Sequence, residues 1–167
     1  CAGVETMEEA VLRECRAVRD HAGIQDVSTL GKIDVQGPDA IEFLNRMYTN
    51  AFDSLAVGRA RYALMCKPDG MVFDDGVVMR VGEERYVCTT TTGNAGPVLA
   101  WMEEWLQTEW PDLRVWLTSV TEQWATVAVV GPGARARLAG LTEIPLDAES
   151  FPFMAILPAG DGDVVTS

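Results

Sequence analysis

The sequence has one histidine, His21, and two lysines, Lys32 and Lys67, in 167 residues. A single imidazole at the end of a charged helix argues against Ser-His-Asp or Cys-His catalysis, which needs a placed histidine base. Its four cysteines, Cys1, Cys15, Cys66 and Cys88, form no CxxC pair, and with one histidine they make no recognisable zinc site. Isolated buried thiols in a reducing cytoplasm are the expectation. The basic residues number 13 against 25 acidic ones, a net charge of −12, and they are scattered without a run. That argues against a protein that tracks nucleic-acid phosphates, and nucleic acid is not expected as a partner. The longest apolar stretches, such as 124–130, fall far short of the ~18 residues of a membrane span, and no basic start precedes an apolar segment. A soluble, cytoplasmic chain is expected. There is no GxGxxG, so flavin or nicotinamide binding would belong to other parts of a longer protein. What remains for chemistry is carboxylates, hydroxyls, backbone groups or a bound ligand.

What is present is the material of a globular core. Hydrophobic residues make up 48% and charged residues 23%, with five tryptophans, enough for one domain or slightly more. The chain opens on Cys1 without an initiator Met and closes on a strand-like segment, 159–167, that stops short, so it reads as a piece of a longer polypeptide. Ala10, Val11, Cys15 and Val18 recur at helical spacing between charged residues, which predicts an amphipathic helix over 6–19. A turn-rich segment over 24–30 leads into an alternating strand, Lys32 to Gln36, and Gly37-Pro38 opens a helix through Met47. Strands follow over 61–66, 71–81 and 85–90, joined by the Lys67-Pro-Asp-Gly70 and Gly82-Glu-Glu turns. A helix from Gly93 or Asn94 ends at Trp110-Pro111, then an edge strand spans 113–118 and a buried strand 125–130. The fold class is α+β, an antiparallel sheet with helices on a face.

One internal echo stands out. Ile33-Asp-Val-Gln-Gly-Pro-Asp-Ala40 and Val127-Ala-Val-Val-Gly-Pro-Gly-Ala134 share strand, Gly-Pro and helix start, and suggest a duplicated unit whose second copy is incomplete.

Asp74 and Asp75 lie side by side in a strand otherwise able to bury both faces. Adjacent strand residues point opposite ways, so one carboxylate faces each side, and the inward one needs hydrogen bonds. Gly76 could instead make a bulge that leaves both acids at a wet sheet end. The run Thr89-Thr-Thr-Thr-Gly-Asn94 serves β-propensity first and helix capping last, with a polar pocket wall left over. The tryptophans read as core or interface packing, Trp101 and Trp105 being one helical turn apart.

The blocks 27–50, Arg61-Tyr-Ala-Leu-Met-Cys66, Gly70-Met-Val-Phe-Asp-Asp-Gly-Val-Val78 and 119–132 resemble the aminomethyltransferase family, the glycine-cleavage T-proteins. Within it they are most similar to the branch formed by the C-terminal half of the sarcosine oxidase alpha subunit. The resemblance implies a truncated folate-binding module: an N-terminal helix and lead-in over 1–28, a first α+β half over 29–120, and an incomplete second half over 121–167. It implies tetrahydrofolate as cofactor, an oxidoreductase as the full protein, other sarcosine oxidase subunits as partners, and methylene transfer from oxidised sarcosine to folate. In the family pattern the second acid of the pair lies against the pterin, which is Asp75 here. The tyrosine thirteen positions earlier is Tyr62. The family's asparagine falls at Thr91, a departure from the T-protein pattern that suits the sarcosine oxidase branch. The family's later Gly-Glu motif would lie beyond Ser167. Arg59 or Arg61, or other parts of the full protein, would screen the anionic folate tail. A non-catalytic folate-binding module or a structural interaction domain of a larger oxidase is the alternative.

From the incomplete second half, the chain alone is expected to fold, to bind folate poorly and to be inactive. Phe151, Phe153, Met154, Ile156 and Leu157, lacking partner elements, would form an apolar patch that promotes a homodimer.

Overall fold

The computed structural model describes residues 5–160 and 163–166. Helix α1, Met7–Asp20, begins in a capping box: the Glu9 amide donates to Thr6 Oγ1 at 3.3 Å while the Thr6 amide donates to the Glu9 carboxylate at 2.9 Å. None of its residues is buried. After it come strands β1, Gly23–Asp26, and β2, Gly31–Gln36, then helix α2, Ala40–Met47. Strands β3, Arg59–Cys66, β4, Val72–Gly82, and β5, Arg85–Thr90, lead through a short 3₁₀ turn to helix α3, Ala95–Thr108. The remaining elements are β6, Trp116–Ser119, β7, Val127–Val130, α4, Ala134–Leu138, β8, Ile156–Gly160, and β9, Asp163–Thr166.

The central sheet has the order β3-β4-β5-β2-β6, every pair antiparallel. Its β3–β4 connection is the expected turn: the Gly70 amide donates to the Lys67 carbonyl at 2.9 Å, and Gly70 takes a φ of 82° that a side chain would resist. Helices α2 and α3 cover one face. Phe43, Leu44, Val98 and Met102 are fully buried against Ile33, Val35, Val78 and Cys88. Inside this core, burial pushes the Cys88 thiol up to about 12, so it stays protonated and inert. The opposite face is covered only in part, where Ala60, Met79, Val87 and Ile156 cluster with Trp124 and Met154. The antiparallel sheet with helices on one face is the α+β class that the sequence predicts.

Four local expectations differ from the structure. The lead-in 24–30 overlaps strand β1, which pairs antiparallel with β7, Gly23 opposite Val130 and Asp26 opposite Val127. Strand β7 is not buried: Val127 and Val130 are 53% and 45% exposed, because a two-stranded ladder leaves both faces accessible. The C-terminal apolar residues are not uncovered as a set either. The Ala60 amide donates to the Met154 carbonyl and the Ile156 amide to the Gly58 carbonyl, which lays this segment along β3 and buries Ile156, while Phe151 is buried among Leu138, Leu146 and Ala155. Phe153 stays 68% exposed. The tryptophans also divide: Trp101, Trp105, Trp110 and Trp124 pack against the cores, while Trp116 on edge strand β6 is exposed.

Candidate functional site

The site residues are set by the alternation of β4 and by one irregularity in it. Met65 pairs with Asp74 but Cys66 pairs with Val72, so Phe73 is an extra residue and the bulge lies there rather than at Gly76. Gly76 keeps regular register opposite Ala63. Its glycine is needed for another reason, since a Cβ there would meet the Thr89 carbonyl oxygen at 2.0 Å.

Past the bulge the two acids separate. Asp74 turns toward the helices and is 5% exposed, whereas Asp75 is exposed on the other face. The inward carboxylate is satisfied as burial demands. It accepts from the Thr91 amide at 3.1 Å, from Asn94 Nδ2 at 3.0 Å and from the Thr91 hydroxyl. Asn94 Nδ2 also donates to the Phe73 carbonyl at 3.1 Å.

On the outward face, Asp75 lies opposite Leu64 and Tyr62 opposite Val77. Tyr62 and Asp75 are therefore diagonal cross-strand neighbours, on the order of 7 Å apart. Tyr62 is 64% exposed. Thr89 lines the same face, its Oγ1 accepting from the Val77 amide at 2.8 Å. One strand further on, Lys32 lies opposite Thr89. Its ammonium is buried, donates to the Ser28 and Leu30 carbonyls at 2.9 Å each, and has its pKa lowered by that burial.

The structure thus brings Tyr62 and Asp75 together and sets Thr91 apart. The Thr91 hydroxyl is committed as a donor to Asp74. Arg59 donates to the Phe153 carbonyl at 2.9 Å, and Arg61 donates to the Ala51 carbonyl and to Ser54 Oγ. Both guanidiniums bind their own chain. Two cavities, of about 250 and 280 Å³, lie elsewhere: one between Arg46, Lys67 and Trp101, Trp105 and Trp110, the other beside Pro38, Arg80 and Tyr86. Neither is lined by Asp75 or Tyr62, which stand on an open sheet face. Among the described residues no group of three or more His, Cys, Asp and Glu side chains is placed to hold a metal ion. In the sequence Asn94 reads only as a turn and cap residue. Its partners lie 20 and 21 positions away, so local spacing carried no signal for them.

The model for the GCVT N-terminal domain matches residues 3–163, nearly the whole chain. The chain belongs to the GCVT N-terminal domain family. It is 61% identical over 154 residues to the sarcosine oxidase subunit alpha of Corynebacterium sp. strain U-96, a match covering 90% of this chain and 16% of that protein. The corresponding subunit of Rhizobium meliloti is 47% identical, covering 92% of this chain and 16% of that one. The aminomethyltransferase of Bacillus subtilis is 38% identical over 83% of this chain and 37% of its own length. The chain therefore spans about a sixth of the sarcosine oxidase subunits it matches. Among solved structures, the glycine cleavage system aminomethyltransferase T from Bartonella henselae superposes with a TM-score of 0.82 at 27% identity, covering 93% of this chain and 41% of that one. The resemblance carried by the Gly-Pro and Asp-Asp blocks is thereby borne out, in family and in fold.

Proposed function

We propose that this chain is the tetrahydrofolate-binding, one-carbon-transfer part of a sarcosine oxidase alpha subunit, accepting the methylene group of oxidised sarcosine to give 5,10-methylenetetrahydrofolate. The observation that carries this reading is the split of the acid pair: Asp74 is locked inward, while Asp75 is exposed beside Tyr62 on the sheet face that α2 and α3 leave free. The residues present suit the amine side of a reduced pterin. An outward carboxylate accepts N–H donors, and an exposed phenol ring beside it offers a flat wall. Tetrahydrofolate, when bound, supplies the nucleophilic nitrogens that take up the carbon.

The chain's own part is to bind and orient. Asp75 fixes the reacting amine by hydrogen bonding, takes up its proton, and stabilises positive charge at the carbon being transferred. No histidine is required for this. Tyr62 lines the approach, and Thr91 acts through Asp74. Residues 29–120 carry this site, and 121–167 begin the second half of the module. The anionic tail of folate needs a cation that Arg59 and Arg61 do not offer in their present hydrogen bonds, so other parts of the full protein would supply it. Those parts would also hold any flavin or nicotinamide, and the other sarcosine oxidase subunits are the partners, in the cytoplasm.

The test is single-turnover methylene transfer in the assembled enzyme. Asp75→Asn keeps the shape and removes the charge, and is expected to lower transfer by roughly 10² or more, the scale of a positioned acid-base group. Asp74→Asn leaves the outward carboxylate in place and lowers it less. Equal or reversed losses would remove the assignment.

A further inference from the structure

Asp74 and Asp75 are chemically identical neighbours, so a slip of one residue in β4 exchanges the carboxylate that faces the helices for the one that faces outward. The bulge at Phe73 lies immediately before them, where β4 already departs from regular pairing. Something must decide which acid is presented. The hydrogen bonds that do so come from outside the β3–β4 ladder, from the junction between β5 and α3. Asn94 Nδ2 grips two successive residues of β4 at once, the Phe73 carbonyl at 3.1 Å and the Asp74 carboxylate at 3.0 Å. Thr91 adds its amide, 3.1 Å from Asp74 Oδ2, and its hydroxyl. Asn94 caps α3 with no side-chain hydrogen bond, so its amide group is spent on β4 and not on its own helix.

We propose that Asn94, seconded by Thr91, is a positioning residue for Asp75: by holding Phe73 and Asp74 on the helix side, it fixes the bulge in the one register that presents Asp75 outward beside Tyr62. The proposal deepens the reading of Asp75 given above and rests on it. It also gives Thr91 a role without ligand contact, since its hydroxyl already donates to Asp74.

Two readouts in the assembled enzyme test this. Asn94→Ala is expected to lower the fraction of oxidised methyl carbon captured on tetrahydrofolate, measured below folate saturation, by about tenfold, the effect of one charge-assisted hydrogen bond. Thr91→Val, which keeps the shape and the amide donor, is expected to lower it by about threefold, and it carries the test if Asn94→Ala does not assemble. The second readout is position itself. In enzyme carrying Asp75→Cys, maleimide labelling at residue 75, read by peptide mass spectrometry, is expected to slow about tenfold when Asn94→Ala is added. A merely structural Asn94 would lower the thermal midpoint and leave labelling at residue 75 unchanged, and that result overturns the proposal. If Asp75→Asn leaves transfer intact, the reading of Asp75 fails by itself, and the labelling rate still decides whether Asn94 sets the register.

Discussion

The two strand–Gly-Pro–helix units, 33–44 and 127–138, share a backbone plan and differ in almost everything that packing supplies. Gly37 and Gly131 have φ values of 133° and 109°, and each is followed by proline and, two residues later, by the first residue of a helix. At both glycines a Cβ would collide with backbone: with the Arg114 carbonyl oxygen at 2.1 Å in the first unit and with the Val18 carbonyl oxygen at 2.5 Å in the second. In the first unit Ile33, Val35, Ala40 and Leu44 are all buried. In the second, Val127 is exposed, Val129, Ala134 and Leu138 are half-buried, and α4 buries no residue. A short local sequence thus suffices to make the turn, but it does not create a core. The core of the first unit comes from α3 and four further strands.

The largest expected effect lies in the equivalent leucines. Leu44→Ala removes a fully buried side chain and is expected to cost about 2–5 kcal/mol of unfolding free energy in urea titration. Leu138→Ala, at a half-buried position, is expected to cost about 1 kcal/mol. Equal costs would break the contrast. The glycines should behave alike: Gly37→Ala and Gly131→Ala each force a φ that side chains resist and press on a carbonyl, so each is expected to destabilise by about 1–3 kcal/mol. An effect at only one of them would show that the shared turn is shaped by its surroundings after all.

The smallest effect is electrostatic. Asp39, which opens the first helix, accepts from Arg114 Nε at 2.9 Å and from its backbone amide at 2.8 Å, and these hydrogen bonds hold its carboxyl below the usual carboxylate range. The second unit has Gly133 in that place. A carboxylate depressed in the folded state stabilises fully above its unfolded pKa, about 4, and that contribution fades as pH falls through the lower folded value. As pH falls through that lowered folded value, the thermal midpoint is expected to fall more steeply for the wild type than for Asp39→Asn. Parallel curves would remove Asp39 from the acid response.

Much of the fold was legible along the chain because it rests on short-range rules. Alternation marked β2, the Pro and Gly placement marked the Lys67–Gly70 turn, and helical spacing marked α2 and α3. At the site, strand alternation required that one of Asp74 and Asp75 face inward, and the family pattern named Asp75 as the one that meets the ligand. Alternation by itself could not say which acid was which. The bulge at Phe73 has no signature in composition, and it was Gly76 that looked like the irregular residue.

The sequence by itself determined the α+β class, the turns and the family, since each depends on residues within a few positions of one another or on blocks matched in order. Only the tertiary structure decided that β1 pairs with β7 some hundred positions away, that Ile156 is covered by β3 and Phe151 by Leu138 and Leu146, and that Asn94 and Thr91 hold Asp74 inward. These outcomes are set by contacts across long loops, where one hydrogen-bond donor chooses among several acceptors, and a local period does not encode that choice.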